Sequence, residues 1–265
     1  MSFQMKRILL TVLASLILCS PSFGWGREGH EAIAKIADNH LQPSAKKVIE
    51  KYLGGRSIVY YAKWMDDYRT TPEYGFTTKW HVATVDKDLK YKPAPVEAGD
   101  AVYGIEQAVA VLKNYKEHSD STVTVNLKYI IHLVGDMHCP SHIYYTGRKQ
   151  NYYVDFGGGY VLPRQRMKIH TVWDQGAIKA TRIWGLSDWA WELDRLPAKE
   201  VKKIVKGTPQ EWFEDNAARC IRQFDLSSTP EENLAQEFVN EAMPLIENQI
   251  LYAGLRLADL LNELF

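Results

Sequence analysis

The sequence predicts a single all-α domain with a small extended excursion near residues 150–165. Three observations lead there. Val239, Met243, Ile246, Ile250, Ala253, Leu257, Leu260 and Leu264 recur at alternating fours and threes, the strongest helical periodicity in the chain. His132 and Asp136 stand four residues apart within the apolar stripe Leu127, Ile130, Ile131 and Val134, so one helix carries both a core face and a polar pair. Strand signals are sparse. Tyr152 to Phe156, ending in Gly157-Gly158-Gly159, is the one good candidate.

From the N-terminus, residues 1–24 have the form of a signal peptide. Lys6 and Arg7 make a positive start, Ile8 to Leu18 an apolar run, and Ser22 and Gly24 occupy the −3 and −1 positions of a cleavage site. The run falls short of the roughly 20 residues that a transmembrane helix needs. Cys19 raises a lipoprotein alternative, but Leu16-Ile17-Leu18 lacks the small residue expected beside a lipidated cysteine. Cleavage would leave Trp25 as the first residue of an exported protein, periplasmic or secreted, with no stable membrane anchor. Residues 25–265 then suit one domain, since single-domain folds reach roughly 250 residues.

Ser44 is the expected N-cap of a short helix carrying Val48, Ile49 and Tyr52 and closed by Gly54-Gly55. Val102, Ile105, Val109 and Leu112 mark a second helix, and 126–136 a third that Pro140 ends. Pro244 predicts a start or a kink in the C-terminal helix. Trp173 is expected to pack the helix that carries His170 and Asp174. Trp184, Trp189 and Trp191 read as core or helix docking. No internal repeat or low-complexity run is apparent.

Basic and acidic residues both number 32, and loss of Lys6 and Arg7 leaves 30 against 32, a net charge of −2. Such a chain is not a general electrostatic binder of nucleic acid. Positive charge for an anionic substrate would have to be local, and bound metal ions supply it in that way. Cys139 and Cys220 survive processing. They would form one disulfide in an oxidising compartment or remain two separate buried thiols.

The histidines are the informative residues. His132, Asp136, His142, His170 and Asp174 fall within 43 residues, as two i, i+4 His/Asp pairs and a third histidine. Nitrogen and carboxylate donors without thiolates suit zinc in a catalytic setting, and two pairs suggest more than one ion. His138 points off the ligand face if Asp136 points onto it, and would brace the ligands from behind. His40 and His118 are expected at the surface.

Beyond spacing, the chain resembles the S1/P1 nuclease family of the zinc-dependent phospholipase C/P1 nuclease superfamily. The matching pieces are Trp25-Gly26-Arg27-Glu28-Gly29-His30, Trp64-Met65-Asp66 followed by Arg69, Trp80-His81, His132-x3-Asp136-x5-His142, Asn151, His170-x3-Asp174 and Ala253-Gly254-Leu255-Arg256-Leu257-Ala258. They occur in family order along residues 25–265.

The resemblance implies a helical domain holding three Zn2+. One would take Asp66, His81, His132 and Asp136. A second would take His142, His170 and Asp174. The third would take the Trp25 α-amine and carbonyl, His30 and Asp136. Three zinc ions bring roughly +6 of formal charge before their carboxylate ligands are counted. Asp66 would orient the attacking water, Arg69 would stabilise charge on the phosphoryl oxygens, and Asn151 would hydrogen-bond near the scissile group.

The implied reaction is hydrolysis of single-stranded DNA and RNA to 5′-phosphorylated products, with 3′-nucleotidase activity, by a monomer. A zinc-dependent phospholipase C is the alternative within the superfamily. It characteristically has Glu where this chain has Asp174. A zinc-binding protein without turnover would have no need of Arg69. The chain departs from the family at Cys139 (usually Gln) and Ser141 (usually Leu), neither a ligand position. It departs also at Val82, where an aromatic often helps hold a base; Tyr144, Tyr145 or Tyr152 would have to stack instead.

Overall fold

A computed structural model describes residues 25–157, 162–181 and 184–265. The signal-peptide reading of residues 1–24, and Gly158 and Gly159, lie outside them. In chain order the helices are α1 (Arg27–His40), α2 (Pro43–Tyr52), α3 (Ile58–Tyr61), α4 (Trp64–Tyr68), α5 (Ala101–Leu112), α6 (Asp120–Asp136), α7 (Ile169–Thr171), α8 (Ala177–Thr181), α9 (Leu186–Leu193), α10 (Ala198–Ile204), α11 (Pro209–Cys220), α12 (Gln223–Leu226) and α13 (Gln236–Leu264). The predominantly helical expectation holds.

α13 is the axis. Its 29 residues bury the predicted stripe from Val239 to Leu264 against α1 and α6. Gly254 sets the closest approach. A Cβ there would stand 2.6 Å from Ile36 Cγ2 and 3.0 Å from the Ile33 carbonyl. Gly254→Ala should therefore lower stability by about 1–3 kcal/mol through overpacking, despite its better helix propensity. Thermal unfolding would show this, and an unchanged or raised midpoint would contradict so close an approach of α13 to α1.

Pro244 neither starts nor ends α13, which begins at Gln236. The missing N–H leaves the Asn240 carbonyl without its helical partner, and Asn240 is exposed, so water can serve it. Ser44 is not a cap either. α2 starts one residue earlier with Pro43 in its first turn, where a lost N–H costs nothing. α5 and α6 carry side-chain caps, Asp100 accepting from Tyr103 N–H (3.0 Å) and Ser119 from Thr122 N–H (3.2 Å).

The extended structure exceeds the expectation. β4 (Tyr153–Phe156) matches the predicted strand, and β5 (Gln165–Lys168) and β6 (Asn233–Leu234) flank it. A second three-stranded sheet joins β1 (Ala83–Val85) to β2 (Tyr91–Lys92) antiparallel and to β3 (Ile143–Tyr145) parallel. Segments of two to four residues carry too little alternation to register as a pattern. The β1–β3 ladder pairs Ala83 with Ile143 and Thr84 with Tyr144, and so fastens the segment after His81 to the segment after His142.

Other expectations need correction. His40 is not a free surface residue: its ring is 2.8 Å from Asp194 and ties α1 to α9. Trp191 is 74% exposed, although Trp189 is buried against Trp184. Trp173 packs edge-on to Phe238 of α13 at 5.3 Å, as expected. His118 is exposed. Cys139 and Cys220 are both buried and unpaired, the separate-thiol alternative. No helix among the described residues is long and apolar enough to cross a membrane.

Candidate metal centre

The last turns of α6 present His132 and Asp136 into a closed space, both without solvent exposure. Asp136 is the hub. Its Oδ2 lies 2.7 Å from His81 Nδ1 and 3.0 Å from His132 Nε2. Its Oδ1 lies 3.3 Å from His30 Nε2 and 3.4 Å from His142 Nδ1. His30 arrives from the first turn of α1. Gly135 admits it, since a Cβ at that position would stand 3.0 Å from His30 Nδ1. The His30 and His132 rings then stack at 4.0 Å.

α4 faces Asp66 into the same space, with its side chain 3% exposed and Oδ1 3.7 Å from Arg69 Nη1. Arg69 shares that helical face and is itself buried. The neighbouring carboxylate, Asp67, points out and pairs with Lys63 at 2.7 Å, which separates the two adjacent acids.

Pro140–His142 forms a 3₁₀ turn that swings His142 back towards Asp174. α7 carries His170 and runs into a π-helical turn, Val172–Gly176, containing Asp174. Single π turns inside helices often sit at functional sites. His170 Nε2 lies 3.4 Å from Asp174 Oδ2, and His142 Nε2 lies 3.3 Å from Asp174 Oδ1.

Backbone carbonyls aim the rings. A carbonyl can only accept, so His132 Nδ1 donates to Ala62 O (2.8 Å) and His142 Nδ1 donates to His81 O (2.6 Å). In each ring this leaves Nε2 as the donor atom for a cation. Asn216 donates to Met137 O, Gln249 to His138 O and Gln223 to Pro140 O, which satisfies three buried carbonyls in the segment between the ligands. His138 completes this brace, donating from Nδ1 to Val134 O (2.7 Å) and accepting at Nε2 from Arg256 (3.0 Å). Burial and then Arg256 push its pKa well down, so it stays neutral.

The electrostatics suit cation binding. Burial opposes ionisation of Asp136, but His132 and His142 hold it well below the usual carboxylate range. Asp174 is likewise lowered, by His170 and His142 against the effect of burial. Burial lowers His142, yet Asp136 and Asp174 outweigh it and lift the ring to about 9. His30 and His81 are lowered, chiefly by burial.

The donor set passes a direct test of fit. His30 Nδ1 and Nε2, both Asp66 oxygens, His81 Nε2, Asp136 Oδ1, His142 Nε2 and Asp174 Oδ2 are buried without a hydrogen-bond partner. Several unsatisfied polar atoms in one place would cost about 1–3 kcal/mol each unless something binds them. Metal ions do so with these donor types. Ligand atoms fall close enough for one ion in three groups, the first two sharing His132: His30, Asp66 and His132; His81, His132 and Asp136; Cys139, His142 and Asp174.

Trp25 is fully buried beside this cluster, its side chain against Gly29 and the following N–H donating to Asp174 O at 3.0 Å. Asn151 is not drawn in by any contact among the described residues and lies exposed after β3. Of the stacking candidates, Tyr145 and Tyr152 are buried with their hydroxyls bonded to Ala217 O and Ser227 O; Tyr144 is 42% exposed. Sequence reading missed the contacts of Cys139 Sγ (3.1 Å) and Ser141 Oγ (3.0 Å) with Asp174 Oδ1. It missed Gly135 and the carbonyl partners too, because nothing in the spacing signals them.

A helical domain with this many nitrogen and oxygen donors converging on shared carboxylates carries a candidate metal centre. Similarity to known proteins narrows the class. The sequence profile of the S1/P1 nuclease family matches residues 25–265, and the chain belongs to that family. It is 27% identical to Endonuclease 1 of Arabidopsis thaliana, across 100% of this chain and 95% of that protein. It is 25% identical to Nuclease S1 of Aspergillus oryzae, covering 97% and 98%. Identity to Nuclease P1 of Penicillium citrinum is 22%, covering 91% and 97%.

Proposed function

We propose that this protein is an exported zinc-dependent endonuclease. It cuts phosphodiester bonds in single-stranded DNA and RNA to leave 5′-phosphates, and it removes phosphate from 3′-nucleotides. The observation that carries this reading is the set of unpartnered buried donors on Asp66, Asp136, His30, His81, His142 and Asp174, with Arg69 beside them.

Bound zinc ions would supply the charge that a phosphate needs and lower the pKa of a water. The chain's own residues do the rest. Asp66 and its two unbonded oxygens orient the attacking water and accept its proton. Arg69, held at the edge of the cluster, donates to the phosphoryl oxygens and stabilises charge that grows in the transition state. Asn151 is assigned to the scissile group on the family resemblance alone.

A single-stranded substrate is supported by the outer side of α3, α4 and the turn after them. Tyr60, Tyr68 and Phe76 are exposed there, Trp64 stacks on Tyr68 at 4.9 Å, and Lys128 and Arg56 sit over Trp64 and Tyr60. Aromatic faces with interleaved cations grip unpaired bases without regard to sequence, at about 1–3 kcal/mol per base.

Product analysis tests the reading. Zinc-loaded protein is incubated with a short single-stranded oligonucleotide, and separately with phosphatidylcholine, and products are read by mass spectrometry. 5′-Mononucleotides whose release a chelator stops are the expected result. Cleavage of the lipid alone would replace the substrate, and survival of both would leave a zinc-binding protein without turnover. Arg69→Ala should cut kcat on oligonucleotide by about 10²–10³-fold with metal content unchanged. An undiminished kcat would remove Arg69 from the chemistry.

A further inference from the structure

The segment Cys139-Pro140-Ser141-His142 places a thiol where the expected ligand set has none. His142 N–H bonds to Cys139 O at 3.0 Å, closing a 3₁₀ turn, in which residues three apart eclipse one another. Cys139 caps that turn in an extended conformation (φ −75°, ψ 127°), with its sulfur 3.1 Å from Asp174 Oδ1. Its sulfur, a nitrogen of His142 and an oxygen of Asp174 fall within 4.8 Å of one another. Around a single tetrahedral zinc, with bonds of about 2.3 Å to sulfur and about 2.0 Å to nitrogen or oxygen, donor atoms stand roughly 3.3–3.5 Å apart; Asp174 Oδ1 lies 3.1 Å from the sulfur and 3.3 Å from His142 Nε2.

The alternative role for the thiol is to hydrogen-bond Asp174. Ser141 Oγ already donates to the same oxygen, Asp174 Oδ1, at 3.0 Å, so the thiol is redundant there. His142 Nε2 and Asp174 Oδ2, by contrast, are buried, point into the space and have no hydrogen-bond partner. Cys139 is fully buried with them, its sulfur 3.1 Å from Asp174 Oδ1 and 3.2 Å from Ser141 Oγ.

We propose that Cys139 Sγ is a direct donor to the second metal ion, together with His142 and Asp174. This rests on the metal-centre reading and departs from the expectation that residue 139 stands outside the ligand set. On binding, the S–H bond is replaced by a sulfur–metal bond and the proton leaves to solvent. A mixed nitrogen, oxygen and sulfur site favours zinc or cadmium over magnesium or manganese. It also makes that ion's retention sensitive to thiol oxidation.

The test is cobalt substitution in protein purified after export and stripped with a chelator. Bound cobalt is counted by elemental analysis, and the near-ultraviolet spectrum is read for thiolate-to-cobalt charge transfer. The band is expected in the unaltered protein and in Cys220→Ser, and absent from Cys139→Ser. Cobalt bound without a band, or a band that survives Cys139→Ser, overturns the proposal; the first result leaves the thiol a hydrogen-bond donor. Should Cys139→Ser fail to fold, the Cys220→Ser spectrum decides. Failure to bind any cobalt would bring down the metal-centre reading itself, and this proposal with it.

Discussion

Asp136→Asn should abolish activity, lowering turnover by at least about 10³-fold, and should release metal as well. One carboxylate stands within 3.4 Å of four imidazoles that reach it from α1, α6, the segment before β1 and the 3₁₀ turn before β3. No other acid in the cluster does this. The amide keeps the shape, so the fold is expected to survive, but it removes the negative charge on which two of the three proposed ions depend. Metal content by mass spectrometry, alongside circular dichroism, separates loss of ions from loss of fold. Asp67→Asn is the matched control. Its side chain is 50% exposed and bonds to Lys63, so both rate and metal content should hold. A full metal complement and an undiminished rate in Asp136→Asn would dismantle the centre as described.

The second large effect concerns the amino terminus. If the Trp25 amine is a ligand, any residues left in front of it convert that amine into an amide. An amide nitrogen's lone pair is delocalised into the carbonyl and does not coordinate. Precursor retaining residues 1–24, or protein carrying even one additional residue before Trp25, should then be slower by about 10²-fold or more and should lose one ion. Three observations motivate this: the complete burial of Trp25, the Gly26 hydrogen bond to Asp174 O, and the unpartnered nitrogens of His30. Comparing initial rates and zinc content of extended and Trp25-started protein is sufficient. Equal rates would show that the third ion, if present, does without the amine.

Arg256 shows how far the metal centre's support extends. It bonds to His138, Asn216, Asp215 and the Ile204 carbonyl, and lies over Trp212 and Tyr252. Asn216, Gln249 and Gln223 are buried polar residues on helices far along the chain, yet each satisfies a carbonyl between Asp136 and His142. Their burial is explained by the segment they hold rather than by the helices they sit on.

Local pattern determined a good deal of this protein. The i, i+4 pairs His132/Asp136 and His170/Asp174, the helix ending before Pro140, the stripe of α13 and the predominantly helical class all follow from periodicities of three to four residues. The spacing of a helix is itself a statement about which side chains share a face. Family motifs added Asp66, Arg69, His81, His30 and Trp25, which no spacing rule connects. Tertiary structure alone decided how those separate pieces meet. Asp136 became the hub because Gly135 lets α1 approach α6. His81 and His142 came together because β1 and β3, too short to leave a pattern, pair in register. Pro244 was tolerated because Asn240, whose carbonyl it orphans, is exposed, and Cys139 reached Asp174 from the extended residue that caps the 3₁₀ turn. Contacts of this kind are formed between segments up to more than a hundred residues apart. They depend on volume, backbone geometry and solvent access at the meeting point, and a one-dimensional pattern carries none of these.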